Sequence, residues 1–250
     1  MNIAVCIKQV PDTETKVKIS DDKKSVEESE INFILNPYDE FAVEEALRLR
    51  EANGGDITVI SLGPDRVSSA IRSALAMGAN KAIHIKTAAI PQDPMSTAAA
   101  LAQVLKEGNY DLILLGKQAI DDDHQQMGPI LAEKLAMPCA NVVTVLEISG
   151  RKINAHRQIE GGFEKVVCEM PAIVTAQRGL NEPRYASLKG IMAAKKVVIE
   201  ERTVELEEDN IDVLEINYPP EKPPGKIVGE GADAVPELIR LLREEAKVIS

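Results

Sequence analysis

The sequence predicts an α/β fold of three layers, a mostly parallel sheet with helices on both faces, followed by an extended C-terminal arm. Two observations indicate this class. Over residues 1–135, short apolar runs alternate with runs whose apolar residues recur at helical spacing. Strands that are joined through helices run parallel, and such a sheet is covered on both faces.

The first elements follow from this alternation. A strand is predicted at residues 2–7, and the polar run at residues 8–30 is predicted as an excursion with a hairpin at residues 16–24. Asn36-Pro37 is a turn signal, after which Asp39 is expected to cap a helix. A second strand at residues 56–62 precedes a helix that ends at Gly78.

Residues 82–85 form the third predicted strand, and the spacing of Ala98, Leu101, Ala102 and Leu105 predicts the third helix. The most informative segment comes next. An apolar run at residues 112–115 ends at Gly116, and after a polar stretch Met127 begins a helical pattern. A strand, a polar turn and a helix place free backbone N–H groups at the helix start, where an anion can bind.

After Pro138 the pattern changes to four short strands, at residues 141–148, 152–158, 163–168 and 172–176. We expect them to extend or flank the sheet, some of them antiparallel. A connector with a short helix at residues 190–195, an acidic run at 200–212, a Pro-rich stretch at 219–225 and a terminal amphipathic helix follow. These C-terminal segments contain too few apolar clusters to build an independent core comfortably. We therefore expect them to form an arm that lies across a partner.

Composition excludes several functions. With a net charge of -11, 3% aromatic residues and no Trp, the chain is a poor binder of nucleic acid or anionic lipid. Its three cysteines are far apart, with no CxxC and no HExxH, so no metal site is predicted. No signal peptide and no run of membrane-spanning length is present, and we expect a cytoplasmic protein without membrane insertion.

The loops after the strands are where a ligand is expected, because open α/β sheets bind ligands beyond the carboxyl ends of their strands. These loops are residues 7–10, 62–65 and 116–126, and residues 36–39 are expected to join them. The sequence contains neither GxGxxG nor GxxxxGK[ST]. Two interpretations of the Asp121-Asp122-Asp123 run stay open: either the loop binds a nucleotide phosphate, or the carboxylates only cap the next helix.

If a phosphate binds there, the three carboxylates would repel it, so it must contact later amides, around residues 124–127, while the carboxylates turn away or bind ribose hydroxyls. No nucleophile motif accompanies His124, which is interpreted as a polar loop residue, and no catalytic residue is predicted. His84 is interpreted as a structural residue of its strand, and Cys6 as a core residue rather than a reactive one.

Several stretches together resemble the beta subunit of electron transfer flavoprotein. They are AVCIKQVPDT, NPYDEFAVEEALRLRE, IRSALAMGA, LLGKQAIDDDHQQMG, IEGGFEKVVCEMPAIVTA and LNEPRYASLKGIMAAKK, in the family's order. The resemblance implies an adenine-nucleotide-binding α/β domain at residues 1–184. It also implies that residues 185–250 form a recognition loop and a C-terminal arm that packs on the alpha subunit.

The resemblance further implies a heterodimer in which the alpha subunit carries a redox-active FAD and the beta subunit holds AMP in a structural role. Electrons would come from flavin dehydrogenases, such as the acyl-CoA dehydrogenases, and pass to a quinone reductase. The residues that match the family's AMP pocket are Cys6, Asn36, Pro37, Tyr38, Asp39, Leu62, Gly116, Lys117, Gln118, Ala119, Ile120, Asp121, Asp122, Asp123, His124, Gln125, Gln126 and Met127. Those that match the partner-binding recognition loop are Arg184, Tyr185, Ala186, Ser187, Leu188 and Lys189, with Leu188 as the anchor.

Three alternatives stay open. A second branch of the family holds a second FAD in this subunit and splits the electron pair of NADH. Asp122 favours the AMP branch, whereas Met127-Gly128-Pro129 and the N-terminal KQVPDT are more similar to the second branch. Outside the family, the fold would suit an adenylating or ATP-splitting enzyme, against which the missing phosphate-loop motif counts, or a homodimeric nucleotide-sensing module.

Overall fold

The computed structural model describes residues 1–222 and 224–249, and it divides into two compact units, Met1–Leu214 and Glu215–Ser250. Pro223, in the predicted Pro-rich stretch, and Ser250 lie outside the described residues. The strands are β1 (Asn2–Cys6), β2 (Gln9–Pro11), β3 (Phe33–Leu35), β4 (Asp56–Gly63), β5 (Lys81–Lys86), β6 (Leu112–Gly116), β7 (Cys139–Ser149), β8 (Lys152–Ile159), β9 (Gly162–Glu169), β10 (Ala172–Ala176) and β11 (Glu200–Arg202). The helices are α1 (Pro37–Asn53), α2 (Ser68–Met77), α3 (Pro94–Glu107), α4 (Met127–Leu135), α5 (Leu188–Ala194) and α6 (Val235–Glu244).

The larger unit is built on a nine-stranded sheet in the order β11-β5-β4-β1-β6-β10-β7-β8-β9. All strands from β11 to β7 are parallel, and β8 and β9 add an antiparallel extension. This confirms the predicted three-layer α/β class and the antiparallel flank. The chain adds β4 and β5 on one side of β1 and then crosses to β6 on the other side, so the strand order reverses at β1.

Strand β1 shows how the sequence builds two cores. Ile3 and Val5 pack in the apolar cluster that contains residues of α1 and α2, whereas Ala4 and Cys6 pack in the cluster that contains residues of α3 and α4. Successive side chains of a strand point to opposite faces. A continuous apolar run therefore supplies both faces, as a parallel sheet with helices on both sides requires.

Two pairings were not predicted. Residues at the start of the supposed excursion form β2, which pairs antiparallel with β3. The predicted hairpin, by contrast, is matched in part by an antiparallel bridge between Ile19 and Val26. Within the predicted acidic run, β11 pairs parallel with β5 at the edge of the main sheet. Strands of three residues leave no periodicity to detect, and their partners lie far away in sequence.

Helix α1 corrects one prediction. It begins at Pro37, with Asn36 as the N-cap residue and no side-chain cap. Proline suits the first helical position because that N–H has no intrahelical partner. Asp39 therefore lies inside the first turn, where it does not cap the helix as predicted, and its carboxylate is free to bond elsewhere.

The smaller unit contains a 3₁₀ turn at Ala232–Ala234 and the predicted amphipathic helix, α6. Arg240 forms ion pairs with Glu237 and Glu244 on its polar side, while Val235, Leu238 and Ile239 are exposed. Among the described residues of both units, no helix is long and apolar enough to cross a bilayer.

Candidate functional site

A cleft opens at the carboxyl ends of β1 and β6, where the strand order reverses. It has about 810 Å³ of empty space, part of it open to solvent. Open α/β sheets bind their ligands at such a point. The predicted pocket residues that line this cleft are Cys6, Asn36, Asp39, Leu62, Gly116, Lys117, Gln118, Ala119, Asp122, His124, Gln125, Gln126 and Met127.

The floor of the cleft is tied together by Asp39. One carboxylate oxygen accepts the backbone N–H of Lys8 at 2.7 Å, and the other accepts the N–H of Gly116 at 2.8 Å. These two residues follow β1 and end β6. Burial raises the pKa of Asp39 to about 7, although the two N–H donors favour the charged carboxylate. Asp39 thus fixes the separation of the two strand ends.

Asn36 holds the loop that follows β6. Its Nδ2 donates to the carbonyl of Gln118 at 2.9 Å, and its Oδ1 accepts the N–H of Ile120 at 3.3 Å. Asn36 itself is buried, and its backbone N–H donates to the carbonyl of Lys8. The Asn36-Pro37 turn thereby sets the course of residues 116–120 along the cleft.

The Asp121-Asp122-Asp123 run does not cap α4. The N-cap residue of α4 is Gln126, and no side chain caps it. The Lys8 ammonium instead contacts Asp121 Oδ1 at 2.8 Å and Asp122 Oδ2 at 2.7 Å. Burial lowers the pKa of Lys8, but these carboxylates raise it more, and the result is a pKa above its usual range. The capping interpretation was therefore wrong, because α4 begins after Gln126 without a side-chain cap, and a lysine from the connection between β1 and β2 pairs with two of the three carboxylates.

The start of α4 offers free backbone donors. The N–H of Ile130 donates to the carbonyl of Gln126, which opens the intrahelical pattern, and Pro129 has no N–H. The amides of Met127 and Gly128 precede that first bond, at the positive end of the helix dipole. A Cβ at Gly128 would lie 2.3 Å from Thr175 Cγ2, so glycine lets this helix end approach β10 closely.

The remaining walls are mostly apolar. Leu62, Leu115 and Met127 line one part of the cleft, and burial raises the pKa of Cys6 to about 12, in keeping with the predicted core role. Ile7 and Lys8 also line the cleft, from the predicted loop at residues 7–10. Sequence reasoning missed the other lining residues: Ile90, Pro91, Gln92, Pro94, Thr97, Leu101 and Leu115. Most of them follow β5 or begin α3, and the rule that loops converge at the carboxyl edge was applied to the other strands but not to β5.

Five predicted residues lie beside the cleft rather than on it: Pro37, Tyr38, Ile120, Asp121 and Asp123. The Tyr38 ring lies 5.2 Å from the Lys117 ammonium. Asp123 accepts a hydrogen bond from the Gln118 side chain and has φ of 53°, a left-handed conformation. These residues shape the loop and its neighbours.

His124 and His84 each lie near an oxygen atom of another residue. His124 Nδ1 lies 3.8 Å from Asp122 Oδ2 at the mouth of the cleft. His84 is buried, and its Nε2 lies 2.9 Å from the carbonyl of Gly63, as expected for a structural residue. In the part of the chain that the structure describes, no three His, Cys, Asp or Glu side chains are arranged to hold a metal ion.

The predicted recognition loop divides into an anchored part and an exposed part. Arg184 forms a two-pronged contact with Glu44 on α1, at 2.8 and 2.9 Å, and a second with Glu51. Tyr185 is 99% exposed and Leu188 is 78% exposed. The Ser187 side chain caps α5 by accepting the N–H of Gly190 at 3.0 Å. Arg184 is therefore occupied by α1, while Tyr185, Ser187, Leu188 and Lys189 face solvent.

Comparison with known proteins adds a second line of observation. The model of the electron transfer flavoprotein domain matches residues 24–207. The electron transfer flavoprotein subunit beta of Bacillus subtilis is 43% identical over 263 residues, with 100% of each chain covered. That of Syntrophomonas wolfei is 39% identical, with 99% of this chain and 98% of the relative covered. The mitochondrial subunit of Oryza sativa subsp. indica is 37% identical over the full length of both chains.

Proposed function

Because the chain belongs to the electron transfer flavoprotein family as a beta subunit, we propose that it forms a heterodimer with an FAD-bearing alpha subunit and holds AMP in the cleft as a structural ligand. In this proposal the chain performs no bond chemistry. The heterodimer accepts electrons from flavin dehydrogenases, such as acyl-CoA dehydrogenases, and passes them to a quinone reductase.

The observation that carries the AMP proposal is the start of α4 at the strand-order reversal. The amide of Met127, which lines the cleft at the start of this helix, offers a site for the phosphate, since helix N-termini favour anions. The apolar side chains of Leu62, Ile90 and Leu101 line a cleft that suits a purine ring. The cleft therefore combines donors for a phosphate with an apolar region for a base.

Charge also permits a phosphate here. The lysines that line the cleft, Lys8 and Lys117, balance the carboxylates of Asp39 and Asp122. Because the Lys8 ammonium contacts both Asp121 and Asp122, the acidic run presents less negative charge than its sequence suggests. A carboxylate oxygen of Asp122 at the mouth would suit ribose hydroxyls.

For the docking role, the exposed residues on an anchored loop are the supporting observation. Leu188 is the first residue of α5. The cap of that helix and the ion pair of Arg184 hold the backbone around Leu188 in place. An apolar side chain on ordered backbone costs less conformational entropy on binding than one on a mobile loop, which favours its use as an anchor in a partner's pocket.

The test is to purify the full chain with its alpha subunit, denature the complex and separate the released small molecules by chromatography. Stoichiometric AMP, beside one FAD, is the expected result. Two FAD and no AMP would replace the proposal with the electron-bifurcating alternative. Release of pyrophosphate from ATP by the purified complex would instead favour an adenylating enzyme, and a colourless homodimer would favour a nucleotide-sensing module.

A further inference from the structure

The acidic segment at residues 205–210 forms hydrogen bonds with the loop between β5 and α3. Residues 90–92 of that loop form one wall of the cleft. Asp209 Oδ2 accepts the backbone N–H of Gln92 at 2.8 Å. Asn210 donates twice to Asp93 Oδ2, from its backbone N–H at 3.2 Å and from its Nδ2 at 3.1 Å. These contacts join positions about 117 residues apart in the chain.

The same segment continues along α3. The hydroxyl of Ser96 donates to the carbonyl of Glu208 at 3.2 Å, and Gln103 Nε2 donates to the carbonyl of Glu205 at 2.8 Å. Val204, just before it, packs against the apolar cluster that contains the α3 side chains. The segment is therefore held at several points along the helix, and we call residues 205–210 the strap.

Besides Gln92, the strap meets the cleft wall at the buried residue Asp93. Asp93 Oδ1 accepts the N–H of Met95 at 2.8 Å and so caps α3, while its other oxygen binds Asn210. The neighbours of Asp93 on both sides, Gln92 and Pro94, line the cleft. A single side chain thus links the start of α3, the strap and the wall.

We propose that the strap positions the cleft wall and thereby determines how long the cleft retains its nucleotide. Asp209 and Asn210 are positioning residues, since neither lines the cleft and each acts through Gln92 or Asp93. The inference rests on the proposed function, because it requires an adenylate in the cleft. Connecting loops are more mobile than the elements that they join, so bonds from outside the loop restrict the opening of this wall.

The test uses the full chain carrying Asp209→Ala and Asn210→Ala, loaded with radiolabelled AMP, whose release is followed after a chase with unlabelled AMP. We expect release about tenfold faster, because the two side-chain hydrogen bonds of Asp209 and Asn210 to the wall are lost, and changes in affinity fall mainly on dissociation. Association should change little. Glu207→Gln is the matched control, since Glu207 lies on the strap but its side chain pairs with Lys134 of α4, at 3.5 Å, rather than with the cleft wall.

A merely structural role would lower the melting temperature of the ligand-free chain and leave the release rate unchanged, and that outcome overturns the inference. Asn210→Asp provides a second variant should the double variant not fold. It places a carboxylate against Asp93, and the repulsion between like charges should also speed release. Unchanged release in Asn210→Asp likewise overturns the inference. A wild-type chain that binds no AMP would overturn the proposed function itself, so the two failures are distinguishable.

Discussion

Asp39 and Gly116 are in contact because position 116 has no side chain. A Cβ at Gly116 would lie 2.5 Å from Asp39 Oδ1, the atom that accepts the N–H of Gly116 at 2.8 Å. Asp39 also accepts the N–H of Lys8. One buried carboxylate on α1 therefore joins the two strand ends between which the cleft opens.

The free energy of unfolding should depend on pH in a way that shows the titration of Asp39. Its pKa is raised from 3.8 to about 7 in the folded chain, so between those values the native state binds a proton that the unfolded state releases. The contribution of Asp39 to the free energy of unfolding is then fully present at low pH and is lost as the pH rises. The free energy of unfolding should fall with a slope approaching about 1.4 kcal/mol per pH unit. We expect Asp39→Asn to flatten this decline between about pH 5 and pH 7, measured by urea unfolding.

Asp65→Asn is the control for this measurement. Asp65 is exposed, and its contact with Lys86 holds its pKa below the usual range. Removal of the Asp65 carboxylate should leave the slope of the unfolding free energy against pH unaltered above about pH 5. An equal slope for wild type and Asp39→Asn would show that Asp39 stays ionised throughout, held by its two N–H donors.

Lys8→Gln should weaken AMP binding. The substitution leaves the carboxylates of Asp121 and Asp122 without the ammonium that contacts both, and uncompensated negative charge repels a phosphate. We expect a loss of about tenfold in affinity by calorimetry, larger at low salt. The triple variant Lys8→Gln, Asp121→Asn, Asp122→Asn should recover most of it, and failure to recover would mean that Lys8 acts by another route.

Leu188→Ala should slow reduction of the heterodimer by its dehydrogenase and leave its flavin content unchanged. Burying one Leu in a partner contributes roughly 1.5–3 kcal/mol, so the rate at limiting concentration should fall about tenfold or more. Val167→Ala, at a position of β9 that is 58% exposed, is the control. Equal rates for the two variants would show that Leu188 is ordinary surface.

Arg184→Lys should loosen the recognition loop. Its contacts with Glu44 and Glu51 raise the pKa of Arg184 above its usual range, and lysine cannot reproduce the planar two-pronged contact with Glu44. We expect faster hydrogen exchange of the amides at residues 181–188, with a loss of local stability of about 1 kcal/mol. Arg48→Lys, an exposed residue that pairs with Glu45 at 3.6 Å, should leave that exchange unchanged.

Much of the fold could be predicted because apolar runs and helical spacing are local features of the sequence. The continuous apolar run at residues 112–115 indicated a buried strand, and Met127 began a helix as its spacing predicted. The rule that ligands bind beyond the carboxyl ends of parallel strands then located the cleft residues Leu62 and Gly116 without any contact being known.

Side-chain partners could not be predicted in this way. Asp39 looked like a helix cap and Asp121 like another, yet the first bonds to two strand ends and the second pairs with Lys8, 113 residues away. The cleft wall at Ile90 comes from a segment with no distinguishing pattern. The strap comes from the predicted acidic run, whose composition does not show which residues it contacts. The amino-acid sequence by itself determined the helices, the longer strands and the edge of the sheet at which the cleft opens, because periodicity and apolar runs act over a few residues. Only the tertiary structure decided which charges compensate one another and what encloses the cleft, because those contacts form between residues that folding alone brings together.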